Sequence, residues 1–263
     1  MAGLILQTDA RGVASLILNR PEKHNAFDDT MIVDLLQFLD KIEDDVSIRV
    51  LVLRAAGKSF SAGADLDWMR RMADYDFEQN LADARQLARL MYRLNRFNKP
   101  VIALVQGSSF GGGVGLIACC DIAIASSDAI FSLSEVRLGL IPSVISPYVI
   151  AAIGSRAARR YFLSGERFDA ARALQLGLLH EVVEPETLDV SLEQCIEALL
   201  ISGSGAQAAA KRLIQQVQGR AIDESLIEET ARRIAEVRTS DEAREGLSAF
   251  LEKRKPDWNG GQE

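Results

Sequence analysis

Hydrophobic residues in the first two-thirds of the chain form short continuous runs that alternate with helix-spaced stripes. Continuous apolar runs at residues 13–18, 50–53 and 101–105 have the length of buried β-strands. Between them, apolar residues recur every three or four positions over residues 30–43 and 77–97, which predicts amphipathic helices. This alternation of strands and helices predicts an α/β fold built from strand–helix units.

The last part of the chain has a mostly helical pattern. Apolar residues lie at helical spacing on two stretches after residue 205. These positions are Leu213, Ile214 and Val217, followed by Leu226, Ile227 and Ile234. Because so short an extension cannot bury a large core of its own, we expect it to pack on a partner subunit.

Length and composition are those of a globular protein with one large domain, or with one domain and a small helical appendage. The chain has 263 residues, of which 48% are hydrophobic and 25% charged, so a core large enough to hold a buried site is available. The formal net charge of −7 disfavours nucleic acid as a partner, because phosphate binding needs a basic face. No apolar run reaches the ~18 residues of a membrane span, and the first residues do not resemble a secretory signal. We therefore expect a cytoplasmic enzyme with no nucleic-acid or membrane partner.

Metal and disulfide chemistry have little support in the sequence. The three cysteines, Cys119, Cys120 and Cys195, lack the spacing of a disulfide framework or a metal site, and we interpret them as reduced core residues. The two histidines, His24 and His180, belong to no metal-binding motif. The sequence therefore predicts no bound metal.

Two short segments of small residues carry the candidate chemistry. Residues 61–65 read Ser-Ala-Gly-Ala-Asp and residues 110–113 read Phe-Gly-Gly-Gly, and each follows an apolar strand and precedes a predicted helix. Small residues let a ligand approach the backbone closely, and amides at a helix N-terminus favour negative charge. Two such amides that converge on one point would form an oxyanion hole, although either segment alone is also consistent with an ordinary turn.

Seven segments occur along the chain in an order that is typical of one protein family. They are N-R-P-E-K-H-N-A at 19–26, F-S-A-G-A-D at 60–65, K-P-V-I-A at 99–103, G-G-G at 111–113, C-D-I-A at 120–123, E-V-R-L-G-L-I-P at 135–142 and F-L-E-K-R at 250–254. Together they resemble the crotonase (enoyl-CoA hydratase/isomerase) superfamily over nearly the whole chain.

That resemblance implies an architecture and an assembly. The expected fold is a crotonase spiral of ββα units over residues 1–200, followed by a helical trimerisation region over residues 201–263. Members of the superfamily usually form homotrimers or dimers of trimers, and they act on acyl-CoA thioesters. Coenzyme A would be part of the substrate, and no cofactor is expected.

The resemblance also implies the residues of the site. Ala64 and Gly112 match the residues whose amides form the oxyanion hole, and Glu135 matches a catalytic glutamate that handles the proton at a water or at a substrate carbon. The implied substrate- and CoA-binding positions are Lys23, Ala26, Ala62, Asp65, Leu66, Trp68, Ser143, Phe250 and Lys253. The last two would reach CoA bound to a neighbouring subunit, whereas Trp68 either shapes the acyl pocket or belongs to the core.

Two departures from the family pattern affect the reaction. Hydratases of the family usually carry a second glutamate at the position that Gly115 occupies here, whereas isomerases often use only the later glutamate. Ser143, eight residues after Glu135, stands where other members carry a functional side chain. Its hydroxyl would orient a water or a polar acyl group, or it would cap a helix.

The segments V-I-S-P-Y-V and A-R-R-Y-F-L-S-G-E-R-F-D favour one subfamily. They are similar to bacterial 3-methylglutaconyl-CoA hydratases and to the related isohexenylglutaconyl-CoA hydratases, which act in leucine and isoprenoid breakdown. We therefore expect hydration of 3-methylglutaconyl-CoA or a related glutaconyl-CoA, with Glu135 as the only carboxyl that transfers protons. The alternative is isomerisation of a 3-enoyl-CoA to a 2-enoyl-CoA.

Three other classes of protein fit parts of the sequence. Residues 107–111 fit the G-x-S-x-G nucleophile elbow, and Ser109, Asp169 and His180 follow the chain order of a serine hydrolase. Residues 113–118 fit the dinucleotide pattern G-x-G-x-x-A, but they lie inside a predicted helix instead of the turn that this function needs. Some members of the superfamily bind RNA, a role that the acidic composition disfavours.

Overall fold

Two β-sheets and the helices that follow their strands form the first part of the molecule. The computed structural model describes residues 3–259, and within them ten strands form a six-stranded and a four-stranded sheet. The strands are β1 Leu4–Thr8, β2 Val13–Leu18, β3 Val50–Ala55, β4 Ser59–Ser61, β5 Val101–Val105, β6 Ser108–Phe110, β7 Ile122–Ser126, β8 Ile130–Ser132, β9 Arg167–Asp169 and β10 Glu181–Val183. The helices are α1 Asp29–Asp44, α2 Leu66–Ala73, α3 Phe77–Asn95, α4 Gly112–Cys119, α5 Ser146–Ser164, α6 Ala170–Leu176, α7 Leu188–Leu200, α8 Ser204–Val217, α9 Glu224–Arg238 and α10 Asp241–Glu252.

From β3 to β8, successive strands alternate between the two sheets. The large sheet has the order β1-β2-β3-β5-β7-β10 and the small sheet the order β4-β6-β8-β9. Each of β3, β5 and β7 is followed by a short strand of the small sheet and then by helix, and the strands within each of these series are parallel. The arrangement is a repeated ββα unit, which confirms the predicted α/β spiral.

The large sheet is buried because its central strands are continuously apolar. All five residues of β5 are buried, and β3 and β7 pair with it on either side. Residues of parallel strands that are covered on both faces are apolar without alternation, as the sequence pattern predicts. Strand β1 was not predicted, because its apolar run of Leu4, Ile5 and Leu6 is shorter than the runs that mark a buried strand, and only Leu4 is buried on this edge strand.

The structure divides into two compact units, one ending at Gln194 and the other beginning at Cys195. The second unit contains α8, α9 and α10, and several of its large apolar side chains are exposed to solvent. They include Ile214, Ile227, Ile234, Phe250 and Leu251, whereas Leu226 is buried. Packing of these helices on a partner subunit stays a prediction. Over residues 3–259, every helix is too short or too polar to span a membrane.

Candidate active site

The two small-residue segments lie next to each other because β4 and β6 are parallel neighbours. Ser61 of β4 pairs with Ser109 of β6. Ala64 and Gly112 each follow one of these paired serines by three residues. The chain therefore leaves the small sheet twice, side by side, and each exit reaches a helix N-terminus within a few residues.

The amide of Ala64 is directed away from the segment that precedes α1. The amide of Phe27 donates to the carbonyl of Gly63 at 2.9 Å, and the amide of Asp65 donates to the carbonyl of Phe27 at 3.0 Å. In a parallel bridge of this kind, the N–H of the intervening residue points to the opposite side. Within residues 3–259 the Ala64 amide donates to no other group, so it is available to a ligand.

Gly112 presents its amide for a different reason. It is the first residue of α4, where the amides have no acceptor inside the helix. Gly111, which precedes it, has φ +50°, and Gly63, which precedes Ala64, has φ +88°. These left-handed conformations are accessible to glycine at little cost. They turn the backbone of each segment so that the amide of the next residue faces outward.

Glu135 lies beside the turn at Gly111, which precedes the Gly112 amide. It belongs to a short 3-10 helix, Ser134–Leu138, and its Oε1 is 3.0 Å from the position that a Cβ on Gly111 would occupy. Its Oε2 is buried and has no hydrogen-bond partner among the described residues. Burial raises the pKa of the carboxyl above the ordinary range of a glutamate. A partly buried carboxyl with one oxygen left without a partner suits a general acid or base.

The position of the second family glutamate is filled by apolar side chains. A Cβ on Gly115 would lie 2.2 Å from Cγ2 and 2.8 Å from Cβ of Ile145, and 3.4 Å from Cε of Met91. Ile145 is itself buried at 2% exposure. A glutamate at position 115 therefore has no room unless Ile145 moves, and Glu135 is the carboxyl beside Gly111.

Asp65 organises the entrance to α2 through ion pairs and a helix cap. Its side chain caps α2 by accepting from the amides of Asp67 and Trp68. It also pairs with Lys23 at 2.8 Å and Arg20 at 2.9 Å, although it is only 3% exposed. Burial alone would raise the pKa of Asp65, but the hydrogen bonds from Lys23 and the cap amides outweigh it and lower that pKa. Asp65 therefore fixes Lys23 beside the Ala64 turn.

Asn25 is a structural residue of the site that sequence reasoning did not single out. It is fully buried with φ +52°, and its Nδ2 donates to the carbonyls of Ala56 at 2.7 Å and Ser59 at 2.8 Å. Its Oδ1 accepts from the amide of Arg20 at 2.8 Å. The sequence signal for this turn was Asn25 itself, since asparagine is one of the few residues that tolerate a left-handed conformation.

The other predicted contacts of the first unit have differing exposures. Ala26 is buried and Ala62 is half-buried, whereas Leu66 is 69% exposed at the start of α2. Trp68 is 3% exposed and packs on Phe27, with ring centroids 6.4 Å apart. Trp68 is therefore a core residue, which was one of the two expectations for it.

The three remaining predicted positions are Ser143, Phe250 and Lys253. Ser143 is exposed in the turn before α5, which begins at Ser146 with Ile145 as its N-cap residue. The helix-cap interpretation of Ser143 is therefore wrong, because the helix starts later than the serine requires. Phe250 is 80% exposed in α10 of the second unit, and Lys253 ends that helix with φ 56°.

The geometry contradicts the serine-hydrolase and dinucleotide alternatives. Ser109 is fully buried in the small sheet. Asp169 instead caps α6, and Nδ1 of His180 accepts from the amide of Ala123 at 3.0 Å. The dinucleotide pattern at residues 113–118 lies inside α4, where its glycines cannot form the phosphate-binding turn. Among the described residues, no cluster of three or more His, Cys, Asp or Glu side chains could hold a metal ion.

Comparisons with known proteins cover almost the whole chain. The sequence model of the family described as Enoyl-CoA hydratase/isomerase matches residues 8–261. A 2,3-dehydroadipyl-CoA hydratase from Escherichia coli (strain K12) is 36% identical over 263 residues, covering 99% of this chain and 100% of that protein. A 1,2-epoxyphenylacetyl-CoA isomerase from the same strain is 34% identical over 265 residues, covering 99% and 100% respectively. The crystal structure of an enoyl-CoA hydratase from Shewanella pealeana ATCC 700345 has a TM-score of 0.95 and 51% identity, covering 97% of this chain and 96% of that one.

Proposed function

The chain belongs to the enoyl-CoA hydratase/isomerase family, and on that premise we propose that it adds water across the α,β double bond of an enoyl-CoA thioester. One observation carries the proposal: the partly buried carboxyl of Glu135, whose Oε2 has no hydrogen-bond partner among the described residues, lies beside the turn that presents the Gly112 amide. A hydratase needs a proton-transferring group next to an oxyanion hole, and these are the two features that this site combines.

In the proposed reaction, the amides of Ala64 and Gly112 hold the thioester oxygen. The ionised Glu135 takes a proton from a water, whose oxygen forms a bond to the β-carbon. The π electrons move onto the thioester oxygen to give an enolate, and the two amides stabilise that charge. Glu135 then delivers its proton to the α-carbon, which restores the thioester and the carboxylate. Loss of one donor from such a hole typically lowers the rate by about 10²–10³.

A single carboxyl is sufficient for this sequence of steps. The water loses one proton, and the same proton is returned to carbon, so no second acid has to supply one. The contact of Gly115 with Ile145 supports this proposal, because it excludes a second carboxylate from the usual position. The raised pKa of Glu135 also supports it, because one group must act first as a base and then as an acid near neutral pH.

For the substrate, we propose 3-methylglutaconyl-CoA or a related glutaconyl-CoA, in leucine or isoprenoid breakdown. The segments around Ile145 and Tyr161 support this choice through their similarity to that subfamily. A relative named as a hydratase of 2,3-dehydroadipyl-CoA is also consistent with an acyl chain that carries a second carboxyl group.

We also propose a cytoplasmic homotrimer or dimer of trimers in which Phe250 and Lys253 contact CoA on a neighbouring subunit. The exposed apolar side chains of the second unit support an interface, since large exposed patches usually mark one. Lys23, Ala26, Ala62 and Leu66 would contact CoA within the subunit. Coenzyme A arrives as part of the substrate, and the reaction needs no further cofactor.

Isomerisation of a 3-enoyl-CoA is the second candidate, and the same Gly115–Ile145 contact favours it. One carboxyl beside an oxyanion hole can remove a proton at C2 and return it at C4. Two relatives are named as isomerases of unsaturated acyl groups: a trans-2-decenoyl-[acyl-carrier-protein] isomerase with 31% identity and a Delta(3,5)-Delta(2,4)-dienoyl-CoA isomerase with 32% identity. The reaction type therefore depends on what Glu135 deprotonates. A water held beside Glu135 gives hydration, whereas C2 of a 3-enoyl-CoA held there gives isomerisation.

Turnover of a panel of thioesters distinguishes the two. The panel contains 3-methylglutaconyl-CoA, crotonyl-CoA and a 3-enoyl-CoA, and products are identified by chromatography and mass. We expect a product heavier by one water from 3-methylglutaconyl-CoA. Conversion of the 3-enoyl-CoA to its isomer, without hydration of either other thioester, would replace the hydratase proposal by the isomerase.

A further inference from the structure

Phe27 contacts both segments that would form the oxyanion hole. Its backbone pairs with the turn that contains Ala64, and its ring lies against Gly112. We propose that Phe27 is a positioning residue that sets the separation and orientation of the two amides. This inference rests on the proposed function, because it assumes that the two amides bind one thioester oxygen.

The backbone half of the contact fixes the peptide of Ala64. Phe27 donates to the carbonyl before Ala64 at 2.9 Å and accepts from the amide after it at 3.0 Å. Two hydrogen bonds on either side of one residue determine the direction in which its own N–H points. These bonds are made by the main chain, so they survive substitution of the side chain and hold Phe27 as a fixed point beside Ala64.

The ring half of the contact fixes the start of α4. A Cβ on Gly112 would lie 2.2 Å from Cζ of Phe27 and 3.1 Å from both Cε atoms, so the ring meets Gly112 end-on. Gly112 is not among the glycines with positive φ. The backbone conformation therefore does not require glycine at position 112, whereas the approach of the ring does.

The ring of Phe27 also packs against a second aromatic side chain. Phe27 is 2% exposed, and the indole of Trp68 packs on it at 6.4 Å between centroids with an interplanar angle of 47°. Nε1 of Trp68 donates to Asp83 at 3.3 Å, and the Trp68 amide donates to Asp65 at 3.3 Å. Because close-packed interiors transmit displacement, the length of the Phe27 side chain determines where Gly112 lies relative to Ala64.

The inference makes a prediction about rates that differs from simple destabilisation. A change in the length of this side chain should misplace one amide by a fraction of an ångström to an ångström, and such errors cost up to about 10²-fold in rate. CoA binding should change little, because the proposed CoA contacts are made by other residues. The loss should therefore fall on kcat and not on KM.

The principal test uses Phe27→Leu and Phe27→Met, with Phe97→Leu as the matched control. Phe97 is 1% exposed in the same core, and it is not among the atoms nearest to a Cβ at Gly63, Gly111 or Gly112. We expect the Phe27 variants to lower kcat by roughly tenfold or more with KM nearly unchanged. They should also reduce the shift in carbonyl stretching frequency of a bound acyl-CoA thioester, a direct reading of the hole. Phe97→Leu should lose stability while it keeps both kcat and the carbonyl shift.

A double-mutant cycle tests the ring contact itself. Gly112→Ala should be severely impaired, because the added methyl group meets Phe27, and Phe27→Leu should relieve that clash. We expect the activity of Phe27→Leu/Gly112→Ala to be higher than the value obtained by multiplying the effects of the two single substitutions. The methionine variant, which keeps more of the side-chain length, is the one to measure if the leucine variant does not fold.

The outcomes separate this inference from the proposed function. If the wild-type protein neither turns over an enoyl-CoA nor shifts the carbonyl frequency of a bound thioester, the proposed function fails. If the wild-type protein does both, and folded Phe27 variants keep the wild-type kcat and carbonyl shift, the positioning role of Phe27 is overturned. Strict multiplicativity in the double-mutant cycle would overturn the proposed contact between the ring and position 112.

Discussion

Positions 135 and 115 are the two places where the family resemblance puts a catalytic glutamate, and they have opposite surroundings in this structure. Glu135 has a buried oxygen without a hydrogen-bond partner among residues 3–259, and burial raises its pKa. Gly115 has no side chain, and Ile145 occupies the space where one would begin. The difference shows that the site accommodates one carboxyl, because the side chain of Ile145 fills the space that a second would need.

Of the changes at these two positions, removal of the carboxyl at position 135 should have the largest effect on activity. Glu135→Gln keeps the shape of the side chain but cannot accept a proton from water, so kcat should fall by about 10² or more. Affinity for the CoA thioester should stay nearly unchanged, since binding is made elsewhere. The measurement is steady-state hydration together with calorimetric binding of a product thioester.

The control for this variant is Glu186→Gln, which changes an exposed glutamate of the same charge. It should retain wild-type kcat. Near-wild-type hydration by Glu135→Gln would show that another residue is the base, and the assignment of Glu135 would then be wrong.

Introducing a carboxyl at position 115 should lower the stability of the protein and should not raise kcat. Gly115→Glu forces an added side chain against Ile145 and buries a charge without a partner, so the free energy of unfolding should fall by about 3 kcal/mol or more. Denaturant unfolding measures the loss. Gly115→Glu/Ile145→Ala should recover part of it, because the alanine opens the space.

Neither variant should exceed the wild-type kcat. A folded Gly115→Glu protein with unchanged stability would contradict the packing argument. A gain in hydration rate would contradict the claim that one carboxyl suffices.

The sequence predicted the elements that depend on local pattern better than the contacts that complete the site. Strands β2 and β5 were predicted at their observed limits, since a continuous apolar run is a local signal. The helix predicted over 77–97 ends at Asn95 in the structure, an error of the size expected for helix ends.

Contacts between distant segments could not be predicted in the same way. Phe27 is a single apolar residue between a strand and a helix, and no periodicity marks its contact with Gly112. The absence of a glutamate at Gly115 was visible, but the side chain of Ile145 that fills the space comes from the turn before α5. Such pairings depend on the spiral having already formed, so one sequence alone does not reveal them.

A smaller effect concerns stability at neutral pH. The pKa of Glu135 is raised in the folded state, so its stabilising contribution is present when the carboxyl is protonated and is lost as the pH rises through that pKa. Glu135→Gln should therefore be at least as stable as the wild-type protein at pH 7, despite its loss of activity. Thermal unfolding at several pH values checks this, and the advantage should vanish at acidic pH. A lower Tm for the glutamine variant at pH 7 would indicate that the carboxylate has a stabilising partner.

The pH dependence of kcat/KM for hydration tests the one-carboxyl claim most directly. With Glu135 as the only proton-transferring carboxyl, kcat/KM should fall at acidic pH as Glu135 is protonated, with an apparent pKa above that of an ordinary glutamate. It should then stay level through neutral pH, because no second carboxyl has to remain protonated. A bell-shaped profile with a descending limb in the neutral range, retained in Gly115 variants, would contradict the account by requiring a second acid.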